Sequence, residues 1–321
     1  MEARYRPGVT TPRPSYDDPD TYARLAGFGG DWRDTWWNSD YLDLIGQRLD
    51  LGRRARLLDV GCGAGHWGRA VLRRMSANAT LTGIDREPAF FDAAENSARA
   101  AKQTANYLEA QAGALPLEDD SFDVVTCQTV LIHVPDAQAV VAEMLRVTKP
   151  DGVVLLAEPD NLVMATSFMG TSVPLTAAER ASLLRLQLLC HEGKRVLGEG
   201  DGDVGARLPA LLREGGALAV QTFASDKCAW AQAPYDDHAQ AVDIKTQLDF
   251  ARMDQWMPTG PREDTRRHYL AGGGTDAEFD VCWAVVLRWL RTFERQVSAG
   301  TFHCARPTCM VLACGQPGSG A

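Results

Sequence analysis

No stretch of this 321-residue chain approaches the roughly 18 uninterrupted apolar residues that a membrane-crossing helix needs. The opening Met1-Glu2-Ala3-Arg4-Tyr5-Arg6-Pro7 also lacks the apolar segment of a secretory signal. These two absences predict a cytoplasmic protein with no membrane partner. Positive charge is scarce as well: 33 Lys and Arg against 42 Asp and Glu leave −9 at pH 7 and an isoelectric point near 5.2. A surface of that sign does not neutralise phosphates, so nucleic acid is excluded as a partner and a small molecule is expected. C-x-x-C pairs are missing. The eight cysteines (Cys62, Cys127, Cys190, Cys228, Cys282, Cys304, Cys309 and Cys314) are scattered through apolar surroundings and read as reduced, mostly buried thiols. His303-Cys304 with Cys309 and Cys314 has metal-binding residue types without metal-binding spacing, so no metal is expected. No internal repeat occurs.

The remaining composition, 45% hydrophobic, 23% charged and 8% aromatic, is that of an ordinary globular protein. Its length suits one large domain or a core carrying an insertion. Residues 1–20 hold Pro7, Pro12, Pro14 and Pro19 and read as an extended arm. An aromatic block follows, with Tyr22, Phe28, Trp32, Trp36, Trp37 and Tyr41 at spacings that predict helices with one apolar face, either packed on a core or forming a lid. From residue 55 the pattern changes. Short apolar runs at 56–60, 81–84, 123–127 and 153–157 alternate with amphipathic stretches at 66–75, 87–102 and 137–147, which implies a parallel, doubly wound sheet with its ligand at the carboxyl ends of the strands.

Beyond Glu158 the alternation stops. Thr176-Ala177-Ala178-Glu179 is a capping box that opens a Leu-rich helix running to about residue 191. A helix over 204–214, a strand over 217–223, a mostly helical stretch over 234–299 and a last strand over 308–314 complete the reading. Within the helical stretch Phe279, Trp283, Val286, Leu287, Leu290 and Phe293 share one face.

The chemistry is concentrated in Leu57-Leu58-Asp59-Val60-Gly61-Cys62-Gly63-Ala64-Gly65-His66-Trp67-Gly68, a strand entering a glycine-rich turn and then a helix. Gly63 to Gly68 satisfies G-x-G-x-x-G, and Asp85 ends the next strand about 20 residues on, an arrangement that suits a nicotinamide dinucleotide. Two features point elsewhere: the acid Asp59 inside the first strand, and a turn that begins earlier, at Gly61. Asp59-Val60-Gly61-Cys62-Gly63-Ala64-Gly65 resembles the first motif of the Rossmann-like (class I) S-adenosylmethionine-dependent methyltransferases. Gly83-Ile84-Asp85, Leu115-Pro116-Leu117 with Ser121-Phe122-Asp123-Val124-Val125, Val130-Leu131-Ile132-His133-Val134-Pro135-Asp136 and Arg146-Val147-Thr148-Lys149-Pro150-Asp151-Gly152 are similar to further segments of that family in order and spacing. The resemblance covers about residues 55–160, with 308–314 similar to the family's final antiparallel strand. One departure is Ala110-Gln111-Ala112, where many members have Gly-Asp-Ala. The signature of enzymes that methylate adenine or glutamine amides is absent.

What the resemblance implies is an α/β fold: a Rossmann-like, seven-stranded, mostly parallel sheet with an antiparallel last strand, plus an N-terminal helical lid and a helical insertion before that strand. The expected division is 1–50 for arm and lid and 51–230 for the S-adenosylmethionine-binding core, with a helical excursion at about 161–215. Residues 231–300 then form an acceptor-binding cap, and 301–321 the last strand and tail. The expected cofactor is S-adenosyl-L-methionine, held by Asp59, Gly61, Cys62, Gly63, Asp85, Arg86, Gln111, Ala112 and Gln128. Asp85 takes the ribose hydroxyls, Gln111 the adenine amino group and Gln128 the sulfonium or the amino-acid end. The expected reaction is methyl transfer to a small organic molecule. The alternatives are an NAD(P)-binding oxidoreductase or a non-catalytic S-adenosylmethionine-binding protein. His133 is the candidate base, with His66 and Glu158 behind it. A metal-dependent variant would draw on Asp160-Asn161 but lacks a partner acid at Gln128 and Thr129. Trp36, Trp37, Tyr235 and Trp256 are expected to line the acceptor pocket.

Overall fold

The computed structural model describes residues 30–318; the proline-rich stretch, Tyr22 and Phe28 lie outside the described residues. Nine strands are described: β1 Arg56–Val60, β2 Thr80–Asp85, β3 Thr104–Glu109, β4 Phe122–Gln128, β5 Thr148–Pro159, β6 Leu218–Ala224, β7 Cys228–Gln232, β8 His303–Pro307 and β9 Met310–Gln316. Seven form one sheet in the order β3-β2-β1-β4-β5-β9-β6. β1 to β5 run parallel, and β9 is antiparallel to both of its neighbours. This is the Rossmann-like sheet expected from the sequence. β1, β4 and β5 are buried on both faces, which is why they read as nearly continuous apolar runs rather than alternating ones.

Each face of the sheet is covered by helices whose apolar stripes the sequence displays. α1 Gly30–Asp34 borders the ends of the strands, and on one side of the sheet lie α2 Ser39–Arg48 and α3 His66–Leu72; Tyr41 and Ile45 of α2 meet Trp67 and Val71 of α3. α4 Phe91–Ala100 follows β2, and α5 Ala137–Val147 follows β4. α6 Asn161–Phe168 and α7 Ala177–Val196 come next, and α8 Leu208–Glu214 packs with α5 over the opposite face through Leu208, Leu212, Val141 and Met144. Three further helices, α9 His238–Arg252, α10 Arg262–Ala271 and α11 Asp276–Ser298, build a cap over the carboxyl ends of the strands.

The cap has its own apolar core. Phe168 of α6 and Leu186 of α7 are buried with Trp256, Tyr269 of α10, and Phe279 and Trp289 of α11. α6 and α7, from the stretch read as an excursion of the sheet domain, thus share their buried face with the insertion. The capping box at Thr176 and Glu179 starts α7 as expected, and Thr275 with Glu278 repeats the device at α11. β7 and β8 form a separate antiparallel ribbon at the base of the cap, and Cys304 of β8 also bridges to Thr171. Among the described residues no helix is long and apolar enough to cross a membrane.

Candidate active site

The carboxyl ends of the parallel strands and the underside of the cap enclose a cavity of about 1000 Å³. Its floor is the turn after β1. Gly61 and Gly63 both have positive φ, +68° and +47°, which bends the chain away from the strand axis. Cys62 N–H donates to the Ile84 carbonyl at 2.9 Å, fastening the turn to β2. A Cβ on Gly61 would sit 2.3 Å from Val130 Cγ2, whereas a Cβ on Gly63 would meet no other atom. Gly63 therefore presents bare backbone to the cavity it lines.

Asp85 stands at the end of β2. Gly63 N–H donates to its Oδ2 at 2.8 Å and Glu87 N–H to its Oδ1 at 3.0 Å. Burial raises its pKa, and these two N–H groups and Arg86 oppose that shift. With Arg86 N–H as a further backbone donor, the carboxylate still has acceptor capacity to spare, which suits a ligand hydroxyl. Asp59, inside β1, accepts from Gly68 N–H at 2.9 Å and so ties the strand to α3. It is buried, and burial pushes its pKa up to about 7. Its position favours ordering the turn over meeting a ligand.

At the end of β4, Gln128 lines the cavity with its Nε2 unpartnered, an orphan donor of the kind a ligand satisfies. Thr129 follows at φ +55°, a left-handed conformation that a β-branched residue rarely holds. Its hydroxyl donates to the Gln128 carbonyl at 2.6 Å and accepts from Arg33 at 3.1 Å. Glu158 holds this loop from below. Val130 and Leu131 N–H donate to its Oε1 at 2.8 and 3.0 Å, and Ile132 N–H to its Oε2 at 3.4 Å. Glu158 is thus neither a free base nor a solvated strand end: it is buried, its acceptors are committed to backbone, and burial pushes its pKa up to about 7.

His133 lines the cavity. Its side chain remains accessible from the cavity, and surrounding protein, then the charges of Lys194, Arg33 and Arg86, lower its pKa. A neutral imidazole with so little basicity hydrogen-bonds readily and removes protons poorly. His66 meets Asp34 at 2.9 Å, joining α1 to α3. Arg86, Gln111 and Ala112 lie on the same cavity wall as Asp85. Asp160 accepts from Leu162 and Val163 N–H as the N-cap of α6, the role that replaces the considered metal ligand. Among the described residues no group of three or more His, Cys, Asp or Glu is placed to hold a metal ion.

Of the expected pocket aromatics only Trp36 lines the cavity. Trp37 stacks on Tyr41 at a centroid distance of 6.2 Å and packs tilted against Trp67 at 5.1 Å. Tyr235 donates its hydroxyl to the Phe302 carbonyl at 2.9 Å, and Trp256 is buried against Phe168 and Trp289. The apolar periodicity that suggested a pocket belongs here to helix packing. Trp37→Ala is accordingly expected to lower unfolding free energy by about 3 kcal/mol while affinity for S-adenosylhomocysteine stays within twofold. Thermal melting and calorimetry on the same sample check this.

Sequence reading missed Arg33, on the five-residue helix α1. Its guanidinium lies 4.9 Å from the Trp36 ring centroid, among Asp59, Asp85 and Glu158, and burial lowers its pKa to about 10. No local pattern marks it, because the acids around it are 26 to 125 residues away in the chain.

Residues 58–156 match the family model described as Methyltransferase domain. That match covers about a third of the chain, the segment from β1 into β5, which is similar to methyltransferase domains. The chain is 32% identical over 123 residues to the demethylmenaquinone methyltransferase of Shouchella clausii, covering 38% of this chain and 51% of that protein. It is 33% identical over 135 residues to a ubiquinone biosynthesis O-methyltransferase of Xanthomonas oryzae, covering 38% and 55%. The chain thus spans about half the length of these curated relatives. The solved YcgJ protein of Bacillus subtilis superposes with a TM-score of 0.49 at 17% identity, over 88% of this chain and 100% of that one.

Proposed function

We propose that the protein transfers the methyl group of S-adenosylmethionine to a small organic acceptor held beneath the cap. The observation that carries this reading is Asp85 beside the Gly61–Gly63 turn in one cavity of about 1000 Å³, large enough for a nucleoside and a second molecule. The residues present fit the cofactor: bare backbone at Gly63, spare acceptor capacity on Asp85 and the orphan Nε2 of Gln128. Bound there, the cofactor supplies a methyl group on an activated sulfonium, which needs an aligned nucleophile more than a strong acid or base.

The chain's own contribution is placement and exclusion of water. Asp85 takes the ribose hydroxyls, and the backbone of the turn supports the amino-acid portion together with Gln128. Gln111 and Ala112 flank the adenine. The cap and Trp36 cover the reacting centre, keeping it dry. His133, neutral at physiological pH, orients an acceptor by hydrogen bonding. The quinone-pathway names of the relatives favour an aromatic acceptor oxygen or carbon.

Asp85→Ala tests the reading. Loss of the charge-assisted pair of hydrogen bonds is expected to weaken S-adenosylhomocysteine binding by roughly 1.5–3 kcal/mol. Calorimetry with S-adenosylhomocysteine, NAD and NADP on the parent protein serves as the control. Unchanged affinity in the variant, or tighter binding of either dinucleotide, would overturn the assignment.

A further inference from the structure

Lys194 is a basic residue whose position the methyl-transfer chemistry above does not use. It lies in the last turn of α7, on the cap side of the cavity, and its side chain lines that cavity. Its Nζ donates to the Ile132 carbonyl at 3.4 Å, a long bond that leaves most of the ammonium's donor capacity unspent. Among the described residues no carboxylate stands within ion-pair distance of it; Glu199 and Asp201 act on it only from further off. Burial lowers its pKa, as it does for a cation short of solvent and of a close counter-ion.

The surroundings hold this arrangement in place. Gly200 packs so closely on the loop after β4 that a Cβ there would lie 2.2 Å from the Ile132 carbonyl oxygen, which locks the end of α7 against residues 131–133. His133 of that loop lines the same cavity, so a neutral hydrogen-bonding ring and an underused ammonium face one space. The remaining wall includes Trp36, Met164, Phe168 and Met257, an apolar enclosure for the body of a ligand.

We infer that Lys194 and His133 form an acceptor subsite for an anionic oxygen, so that the methyl acceptor is an apolar or aromatic molecule bearing a carboxylate or an ionised hydroxyl. This rests on the methyltransferase reading for the word acceptor, but not for the subsite itself. Lys194 reaches the cavity from the cap and His133 from the loop after β4, so the subsite lies between cap and sheet. An ammonium there lowers the energy of an oxyanion at neutral pH, which removes the need for a strong base that His133 does not provide.

The test is calorimetry on the full chain saturated with S-adenosylhomocysteine, using benzoate against benzamide and para-nitrophenolate against para-nitroanisole. At least one anion is expected to bind about tenfold more tightly than its neutral counterpart. Benzoate preference identifies a carboxylate acceptor, and para-nitrophenolate preference an ionised hydroxyl. Lys194→Met is expected to erase the preference, Lys194→Arg to retain it, and both to keep affinity for S-adenosylhomocysteine within twofold, with thermal melting confirming that each variant is folded. Equal binding of anions and neutral counterparts, absence of anion binding, or an unaltered preference in Lys194→Met overturns the inference. So does a loss of S-adenosylhomocysteine affinity in that variant, which would give Lys194 to the cofactor's carboxylate. If S-adenosylhomocysteine fails to bind the parent protein, the methyltransferase reading falls, and the same titrations without it still decide the anion subsite.

Discussion

Glu158→Ala is expected to lower the unfolding free energy by about 3 kcal/mol or more, since three backbone N–H groups lose their acceptor at once and a buried unsatisfied donor costs about 1–3 kcal/mol. Those donors belong to Val130, Leu131 and Ile132, the loop that also positions Gln128, Thr129 and His133. Loss of the clamp releases the left-handed Thr129, so affinity for S-adenosylhomocysteine is expected to fall together with stability. Glu158→Gln offers one acceptor oxygen and turns an amide donor toward the remaining N–H groups, so it recovers only part of the loss. Urea unfolding followed by circular dichroism, with calorimetry on the same variants, reads both effects. An unfolding midpoint unmoved in Glu158→Ala would show that water replaces the carboxylate without penalty.

Valine at Gly61 and at Gly63 should separate two roles that adjacent glycines of one turn share in sequence. At Gly61 the new side chain collides with Val130 and adopts a disfavoured φ; overpacking and left-handed strain together are expected to destabilise the fold by about 3 kcal/mol or more. At Gly63 there is no protein atom to strike, so only the strain of roughly 1–2 kcal/mol remains. The side chain then enters cavity space, and S-adenosylhomocysteine binding is expected to disappear from a folded protein. Circular dichroism and calorimetry distinguish the two outcomes. A Gly63→Val protein that folds and binds with parental affinity would mean the ligand does not approach this turn.

The sheet was legible in the sequence because its central strands are buried on both faces and therefore apolar throughout, as Leu57–Val60 and Val153–Ala157 are. β3 escaped notice because it is an edge strand, and Thr104–Glu109 alternates with solvent on one side. β7 and β8 are short, contain Gln232, His303 and Arg306, and lie outside the main sheet, so neither shows an apolar run. At the site, the turn and Asp85 could be read since their chemistry follows from adjacent residues. Arg33, the committed state of Glu158 and the place of Lys194 could not, because each depends on contacts between elements far apart in the chain. The aromatic residues misled for a related reason: Trp37 and Trp256 have the same periodicity whether they face a pocket or a neighbouring helix.

β9 is made last among the strands, yet it lies between β5 and β6 rather than at an edge. A ribosome therefore releases the whole cap before the strand that closes the sheet becomes available. Until residues 310–316 emerge, β5 exposes a long row of unpaired N–H and carbonyl groups, and β6 has no partner in the main sheet. Sheet closure joins segments more than 150 residues apart in sequence, Val154 with Gly315 among them, and such non-local pairing is intrinsically slow. The nascent chain thus carries an open, apolar edge throughout synthesis of the cap, which makes this strand gap the place where folding yield and aggregation compete.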